Sequence, residues 1–289
     1  MSDREFGSSR PREAAMKSVV VTGATSGIGM ATALELSARG YQVIGTARTT
    51  EKAEKLAATA AERHMHLHTV LLDVTDRDSC RTAMAEITDM TEGGPWALVN
   101  NAGIAVSGAF EDVCETDAWA VLETNLLGTA RMTRLALPTM RRRGEGRIVQ
   151  ISSVAGLVAM PLNGWYCAGK HALEALTDAL RRETAGSGIH VSLIEPGFIN
   201  TPMLTDGLRH FPAHTRYETA YATMRRIVAS RGPLGPEVVA RTVVKALTVP
   251  VPRRRYGIGY EAALGRLARL APSAAVDLTL RTVLQLNRS

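Results

Sequence analysis

Tyr166 and Lys170 stand four residues apart in the run Tyr166-Cys167-Ala168-Gly169-Lys170. That spacing sets them one above the other on a helix face. A free phenol ionises near pH ~10. A neighbouring ammonium and the positive ring of a bound group both favour the phenolate and should pull that value down. A tyrosine so tuned passes a proton to a carbonyl oxygen or takes one from an alcohol. Ser153 follows an apolar run at Arg147–Ser152 and offers a hydroxyl to the same substrate oxygen. Asn125 lies in a long helical stretch, where its expected task is to bind water that carries protons toward Lys170.

A second chemistry sits near the other end of the chain. Ser18–Thr22 runs straight into Gly23-Ala24-Thr25-Ser26-Gly27-Ile28-Gly29, a GxxxGxG loop between a strand and a helix. Glycines there allow a tight turn and close backbone approach to a pyrophosphate, and the following helix opens with free N–H groups. Gly23, Thr25, Ser26, Gly27, Ile28 and Gly29 are therefore candidate cofactor residues. The second strand ends Gly45-Thr46-Ala47-Arg48, with no acid to hold ribose hydroxyls. Arg48 can instead grip a 2′-phosphate through two parallel hydrogen bonds, with Ser26 adding a hydroxyl. The expectation is NADP(H) rather than NAD(H). Asp73 and Val74 close the third strand and are placed to touch adenine.

Positioning these groups requires alternating strands and helices. Strands are expected at Ser18–Thr22, Gln42–Thr46, Leu67–Asp73, Ala97–Asn100, Arg147–Ser152 and His190–Glu195, with an edge strand at Tyr256–Gly259. Helices are expected at Ile28–Arg39, Glu51–Arg63, Asp76–Met90, Asp117–Met140, Tyr166–Thr184 and Pro236–Leu247. Apolar strands alternating with helices imply a parallel sheet covered on both faces. The predicted class is thus α/β, a Rossmann-type doubly wound sheet of about seven strands. It forms one catalytic domain over residues 17–289, after a flexible tail at 1–16. Residues 201–230 read as an excursion over the sheet that makes a helical substrate lid. A C-terminal helical extension covers 261–287, as helices near Glu261–Leu270 and Ala274–Leu286.

Composition excludes other classes. The chain of 289 residues is long enough for a large core, and its 21% charged fraction is ordinary. The net charge of +6 is spread along the chain without a nucleic-acid module, so no nucleic-acid partner is expected. Cys80, Cys114 and Cys167 form no disulfide framework or CxxC pair, which favours a reducing cytoplasm. No apolar stretch is long enough to span a bilayer. His64, His66 and His68 lack the cysteine or carboxylate partners of a tetrahedral site, and no metal is expected.

Taken together, Gly23-x-x-x-Gly27-x-Gly29, Asn100-Asn101-Ala102-Gly103, Asn125, Ser153, Tyr166-x-x-x-Lys170 and Pro196-Gly197 resemble the ordered motif set of the short-chain dehydrogenase/reductases. The resemblance covers roughly Lys17 to Met203. It implies an oxidoreductase that moves hydride between the cofactor and a carbonyl or alcohol. It also implies that Asn101, Ala102 and Gly103 steady the central strand and the cofactor. Tyr166 and Lys170 would meet the nicotinamide ribose, and Pro196, Gly197, Ile199 and Thr201 the nicotinamide end. Gly169 departs from the serine common there. The stretch Ser153 to Glu174 resembles the 17β-hydroxysteroid and retinol dehydrogenase branch, and Arg255-Tyr256 the tail of its bacterial relatives. Leu157, Leu162, Trp165, Phe198 and Met203, with Ser153 and Tyr166, are expected to bind a lipophilic steroid-, retinoid- or acyl-like substrate. A ketoreductase for a polyketide-like ketone and a non-catalytic NADP(H) sensor are the alternatives. A homodimer or homotetramer is expected.

Overall fold

Four residues, Ser18–Val21, make the first strand β1, and all are buried. A β-branched run hidden on both faces belongs at the centre of a parallel sheet, and β1 lies there. The computed structural model describes residues 16–213 and 215–286. The expected tail at 1–16 falls almost wholly outside them. Seven strands form one parallel sheet in the order β3-β2-β1-β4-β5-β6-β7. The others are β2 (Gln42–Ala47), β3 (His68–Leu71), β4 (Ala97–Asn100), β5 (Gly146–Ile151), β6 (Ile189–Pro196) and β7 (Arg255–Ile258). The order runs outward from β1 in both directions, the doubly wound pattern expected. Its crevice opens beyond the carboxyl ends of β1 and β4, where the order reverses.

Helices α1 (Gly27–Ser37), α2 (Thr50–Ala61) and α9 (Pro236–Thr248) cover one face; Leu36, Leu56, Val239 and Val243 join its core. Helices α3 (Arg77–Met90) and α5 (Thr129–Arg143) cover the other through Met84, Ile87, Met132 and Met140. Asp76 caps α3 by accepting hydrogen bonds from the Asp78 and Ser79 amides.

The stretch expected as one helix over Asp117–Met140 is not uniform. Helix α4 (Glu115–Leu122) passes into a wide π turn, Glu123–Gly128, before α5 begins. Such turns insert an extra residue and are frequent at functional sites; Asn125 lies in this one. Gly128 has a packing reason, since a Cβ there would sit 2.8 Å from Val74 Cγ2. Pro138 is tolerated on the exposed side of α5.

The excursion after β6 contains α7 (Pro202–Arg209) and α8 (Glu218–Arg231). With Leu162, Phe211, Tyr221, Met224 and Leu284 they form a third apolar cluster apart from the sheet. Helix α10 (Tyr260–Ala268) docks through buried Ala262 and Gly265, whereas α11 (Ser273–Val283) buries none of its residues. His64, His66 and His68 all lie exposed around the entry to β3.

Candidate active site

The turn after β1 is held from the neighbouring strand. Thr22 Oγ1 accepts the amides of Asn101 and Ala102, each at 3.0 Å. The Asn101 side chain donates in return to the carbonyls of Thr22 and Gly23, also at 3.0 Å. Gly23 and Gly27 have φ of +63° and +50°, a region that favours glycine. A Cβ on Gly23 would stand 2.9 Å from the Ala102 Cα, and one on Gly27 3.0 Å from Thr201 Cγ2. Thr201, reached across the sheet after β6, thus closes directly on the glycine turn. Ser26 stands before α1 with no side-chain bond to the helix, so the first-turn amides are left for another acceptor.

A cleft of about 240 Å³ opens over this turn. Of the expected cofactor residues, Gly23, Thr25, Ser26, Gly27 and Ile28 line it from the turn. Arg48, Asp73, Val74, Asn101, Ala102, Gly103 and Thr201 line it from the strand ends. Gly29 is elsewhere: a Cβ there would fall 2.2 Å from the Gly23 carbonyl, so this glycine lets α1 press onto the turn. Pro196, Gly197 and Ile199 also lie off the cleft. Ile199 is core, the Pro196 carbonyl faces Ser153, and the Gly197 amide donates to Ile258 at 2.9 Å.

Lys52 and Thr124 line the cleft and were missed from the sequence. Lys52 lies one helical turn beyond Arg48 in the first turn of α2, a spacing that was readable. Burial alone would raise the Asp73 carboxyl. Two hydrogen bonds from Thr75, at 2.7 and 2.9 Å, and the Arg48 charge hold it below the usual range. The donor set of this cleft is therefore free amides at a helix start, two cations near the end of β2, and glycines where side chains would block. It fits a dinucleotide.

The second group assembles where β5 ends. Ser153 starts a short 3₁₀ turn, Val154–Gly156, its Oγ accepting the Ala155 amide at 3.1 Å and facing the Pro196 carbonyl at 3.4 Å. Helix α6 (Gly164–Glu183) then brings Tyr166 within hydrogen-bond reach of Ser153. Lys170 is 6% exposed; its Nζ donates to the Ile151 carbonyl at 2.8 Å and lies 5.7 Å from the centre of the Tyr166 ring. Burial pushes the phenol up to about 12 against the Ser153 hydrogen bond, and pushes Lys170 down to about 8 against the pull of Glu174. The expected lowering comes from Lys170 together with the positive charge of a bound nicotinamide; among the chain's own groups burial is the largest influence and acts the other way, so Tyr166 rests as a protonated acid.

Asn125 spends both ends of its side chain on Ile104. Its Oδ1 accepts the Ile104 amide and its Nδ2 donates to the Ile104 carbonyl, each at 2.8 Å. In this geometry the amide clasps the backbone beyond β4, beside the helix that carries Lys170.

The expected substrate residues divide. Leu162, at φ +67°, is buried in the third apolar cluster, with Phe198 partly buried beside it. Leu157 is buried against Gly265 of α10, and Met203 borders the cofactor cleft. Trp165 stacks on Phe110 with ring centres 5.8 Å apart; Phe110 is 79% exposed. Tyr221 of α8 donates to Asp112 Oδ2 and accepts the Ala109 amide, both at 2.6 Å. Phe110, Asp112 and Tyr221 were not anticipated, because no local pattern pairs residues so far apart.

A seven-stranded doubly wound sheet with a glycine turn after β1 and a Ser-Tyr-Lys group after β5 defines a dinucleotide-dependent oxidoreductase. The chain belongs to the short chain dehydrogenase family, whose pattern matches residues 17–210. It is accordingly an oxidoreductase of CH–OH and C=O groups. It is 36% identical to the uncharacterized oxidoreductase YbbO of Escherichia coli (strain K12), over 92% of this chain and 94% of that one. It is also 36% identical to retinol dehydrogenase 5 of Homo sapiens, over 92% and 88% of the two chains. A short-chain dehydrogenase from Streptomyces avermitilis superposes with a TM-score of 0.80 at 33% identity, covering 96% of this chain and all of that one. An actinorhodin polyketide ketoreductase solved with NADPH superposes at 0.75 and 30% identity, covering 86% and 97%. A short chain dehydrogenase/reductase from Burkholderia phymatum in complex with NAD gives 0.77 and 26%, covering 91% and 95%. Among the described residues no helix is long and apolar enough to cross a membrane.

Proposed function

We propose that the chain interconverts a ketone or aldehyde and an alcohol on a lipophilic substrate with NADP(H), using Tyr166 as the acid and base. The observation that carries this reading is the gathering of Ser153, Tyr166 and Lys170, with the ammonium anchored on the Ile151 carbonyl. The cofactor's nicotinamide would supply or accept the hydride. The glycine turn, Asn101 and Thr201 would hold the dinucleotide, and Arg48 with Lys52 its extra phosphate. In the reducing direction protonated Tyr166 gives its proton to the carbonyl oxygen, while the Ser153 hydroxyl donates a hydrogen bond to the same atom. Lys170 holds positive charge beside the phenol and so stabilises the phenolate that remains.

NADP(H) over NAD(H) rests on Arg48 and Lys52 and on the absence of an acid at the end of β2. Lipophilicity rests on the apolar lid cluster and the exposed Phe110–Trp165 stack. Relatives named for retinol and 17-beta-hydroxysteroids favour such substrates. The neighbour named as a polyketide ketoreductase favours a polyketide-like ketone as the second reading. Self-association is part of the proposal, because α4, the π turn and α6 expose Trp119, Leu127 and Leu176. So is a cytoplasmic setting, with three free cysteines.

The test is nicotinamide absorbance over a panel of steroid, retinoid, acyl and polyketide-like ketones and alcohols. NADPH should support turnover with at least one of them. Tyr166→Phe should reduce it by about 10²- to 10⁴-fold with cofactor affinity nearly unchanged. A fully active Tyr166→Phe variant refutes the mechanism. Arg48→Ala should weaken NADPH by roughly tenfold or more and leave NADH unaffected; equal losses for both refute the phosphate assignment.

A further inference from the structure

One helical turn beyond Lys170 on α6, Glu174 is buried, and it belongs to a chain of charges that the reaction does not itself require. Its Oε2 accepts from Arg255 Nε of β7 at 2.9 Å. The same guanidinium reaches Asp178 at 3.0 Å and Glu195 of β6 at 3.3 Å. Glu195 has no exposed surface and also meets Arg266 of α10 at 2.5 Å; Asp178 is paired with Arg181 at 2.8 Å. Burying charges is costly, and apolar residues of similar volume would often pack as well or better. A buried ionic chain that ends beside a reacting lysine therefore invites a functional reading.

The groups facing Lys170 are few. On its own helix they are Tyr166 one turn before and Glu174 one turn after. From β5 comes the Ile151 carbonyl, and the Ser153 hydroxyl in the turn beyond it meets Tyr166. From the π turn neutral Asn125 packs beside Gly169, the residue before Lys170. Glu174 is the carboxylate among these. Burial works against the ammonium, and Glu174 is the charge that works for it. Glu174 is itself pushed toward its protonated form by burial and by Glu195, while Ser152 and Arg255 pull it back.

Resting on the reading of Lys170 given above, we propose that Glu174 is a positioning residue for the Tyr166–Lys170 pair. It supplies the counter-charge that keeps Lys170 an ammonium, and Arg255 keeps Glu174 ionised for that task. The last strand, 81 residues away in sequence from Glu174, thereby takes part in setting the charge at the reacting centre.

The test is NADPH binding to the full chain, followed by quenching of intrinsic fluorescence between pH 7 and 10. This range lies above the titration of a phosphate monoester, near pH ~6. Wild-type affinity should fall with a midpoint set by Lys170. In Glu174→Gln that midpoint should move down by about one pH unit. In Glu174→Asp, which keeps the charge, it should stay within a few tenths. Lys170→Met should bind more weakly at every pH and show no midpoint. Should Glu174→Gln fail to fold, Glu174→Met removes the same charge without a buried amide to satisfy and reads the same quantity. A purely structural role for Glu174 would weaken binding equally at all pH values. An unmoved midpoint in a folded Glu174→Gln or Glu174→Met protein, with the midpoint lost in Lys170→Met, overturns the proposal alone. A wild-type midpoint surviving in Lys170→Met overturns the reading of Lys170, and the proposal with it.

Discussion

Asn125→Ala removes a clasp whose worth can be worked out from its two bonds. The side chain is 1% exposed and holds both the amide and the carbonyl of Ile104 at 2.8 Å. Truncation leaves a donor and an acceptor without partners, at about 1–3 kcal/mol each when buried. Ile104 is half-buried, so water reaches part of the gap and the lower half of that range applies. The expected loss is about 2–4 kcal/mol, a large share of the roughly 5–15 kcal/mol that holds a typical fold. Urea denaturation without cofactor reads it as a lower midpoint at unchanged slope. Asn125→Asp separates the two bonds. Its carboxylate still accepts the Ile104 amide but turns a lone pair on the Ile104 carbonyl, whereas the protonated carboxyl can donate there. The fold therefore raises the new group's pKa. Its deficit should be small below the ordinary carboxylate value of about 4 and grow as pH climbs through the raised value. A loss below about 1 kcal/mol for Asn125→Ala, or an Asn125→Asp deficit that does not change with pH, would refute this account.

Two further outcomes follow. Tyr221→Phe leaves the Asp112 carboxylate and the Ala109 amide without the hydroxyl that joins them. It should cost about 1–3 kcal/mol and speed proteolysis within α8 before the sheet opens; unchanged cleavage there refutes the anchor. Lys170 and Tyr166 also predict a stability profile for the cofactor-free protein. The lysine, lowered from 10.5 to about 8, is released by the fold between those values while the unfolded chain still binds its proton. Stability should rise there. The phenol, raised from 10.0 to about 12, is kept protonated by the fold after the unfolded chain has lost its proton, so stability should fall between those values. Denaturation of wild type beside Lys170→Met should show their difference growing from pH 8 to 10. A flat difference contradicts the burial of the ammonium.

What the sequence disclosed was what is local. The buried strand Ser18–Val21, the glycine turn and the one-turn spacing of Tyr166 and Lys170 are each written in neighbouring residues, and the structure places them as that pattern requires. Helix α7 was also legible in principle. Thr201 accepts the Leu204 amide at 3.4 Å and Pro202 opens the helix, a start signal obscured by the glycine and histidine that follow. The π turn was not legible, because no residue pattern distinguishes an extra residue in a helix from none. How far burial raises the Tyr166 phenol was not legible for a related reason. Charge neighbours can be counted along a helix, but desolvation depends on what the whole fold lays over the ring. Lys52 was in plain spacing and overlooked, while Asp112 and Tyr221 could be paired only by tertiary structure.

The stretch from Asn101 to Asp112 is fastened at short intervals to different parts of the molecule. Asn101 is tied to the glycine turn, Ile104 to Asn125, Gly108 to Leu162 at 2.8 Å, and Ala109 with Asp112 to Tyr221. It is a taut strap with little slack between rivets, running from the nucleotide seat to the apolar cluster of α7 and α8. Remodelling either end will tug on the other. Efforts to broaden the range of molecules accepted, or to swap one dinucleotide for another, will meet the same peptide and will have to be solved together.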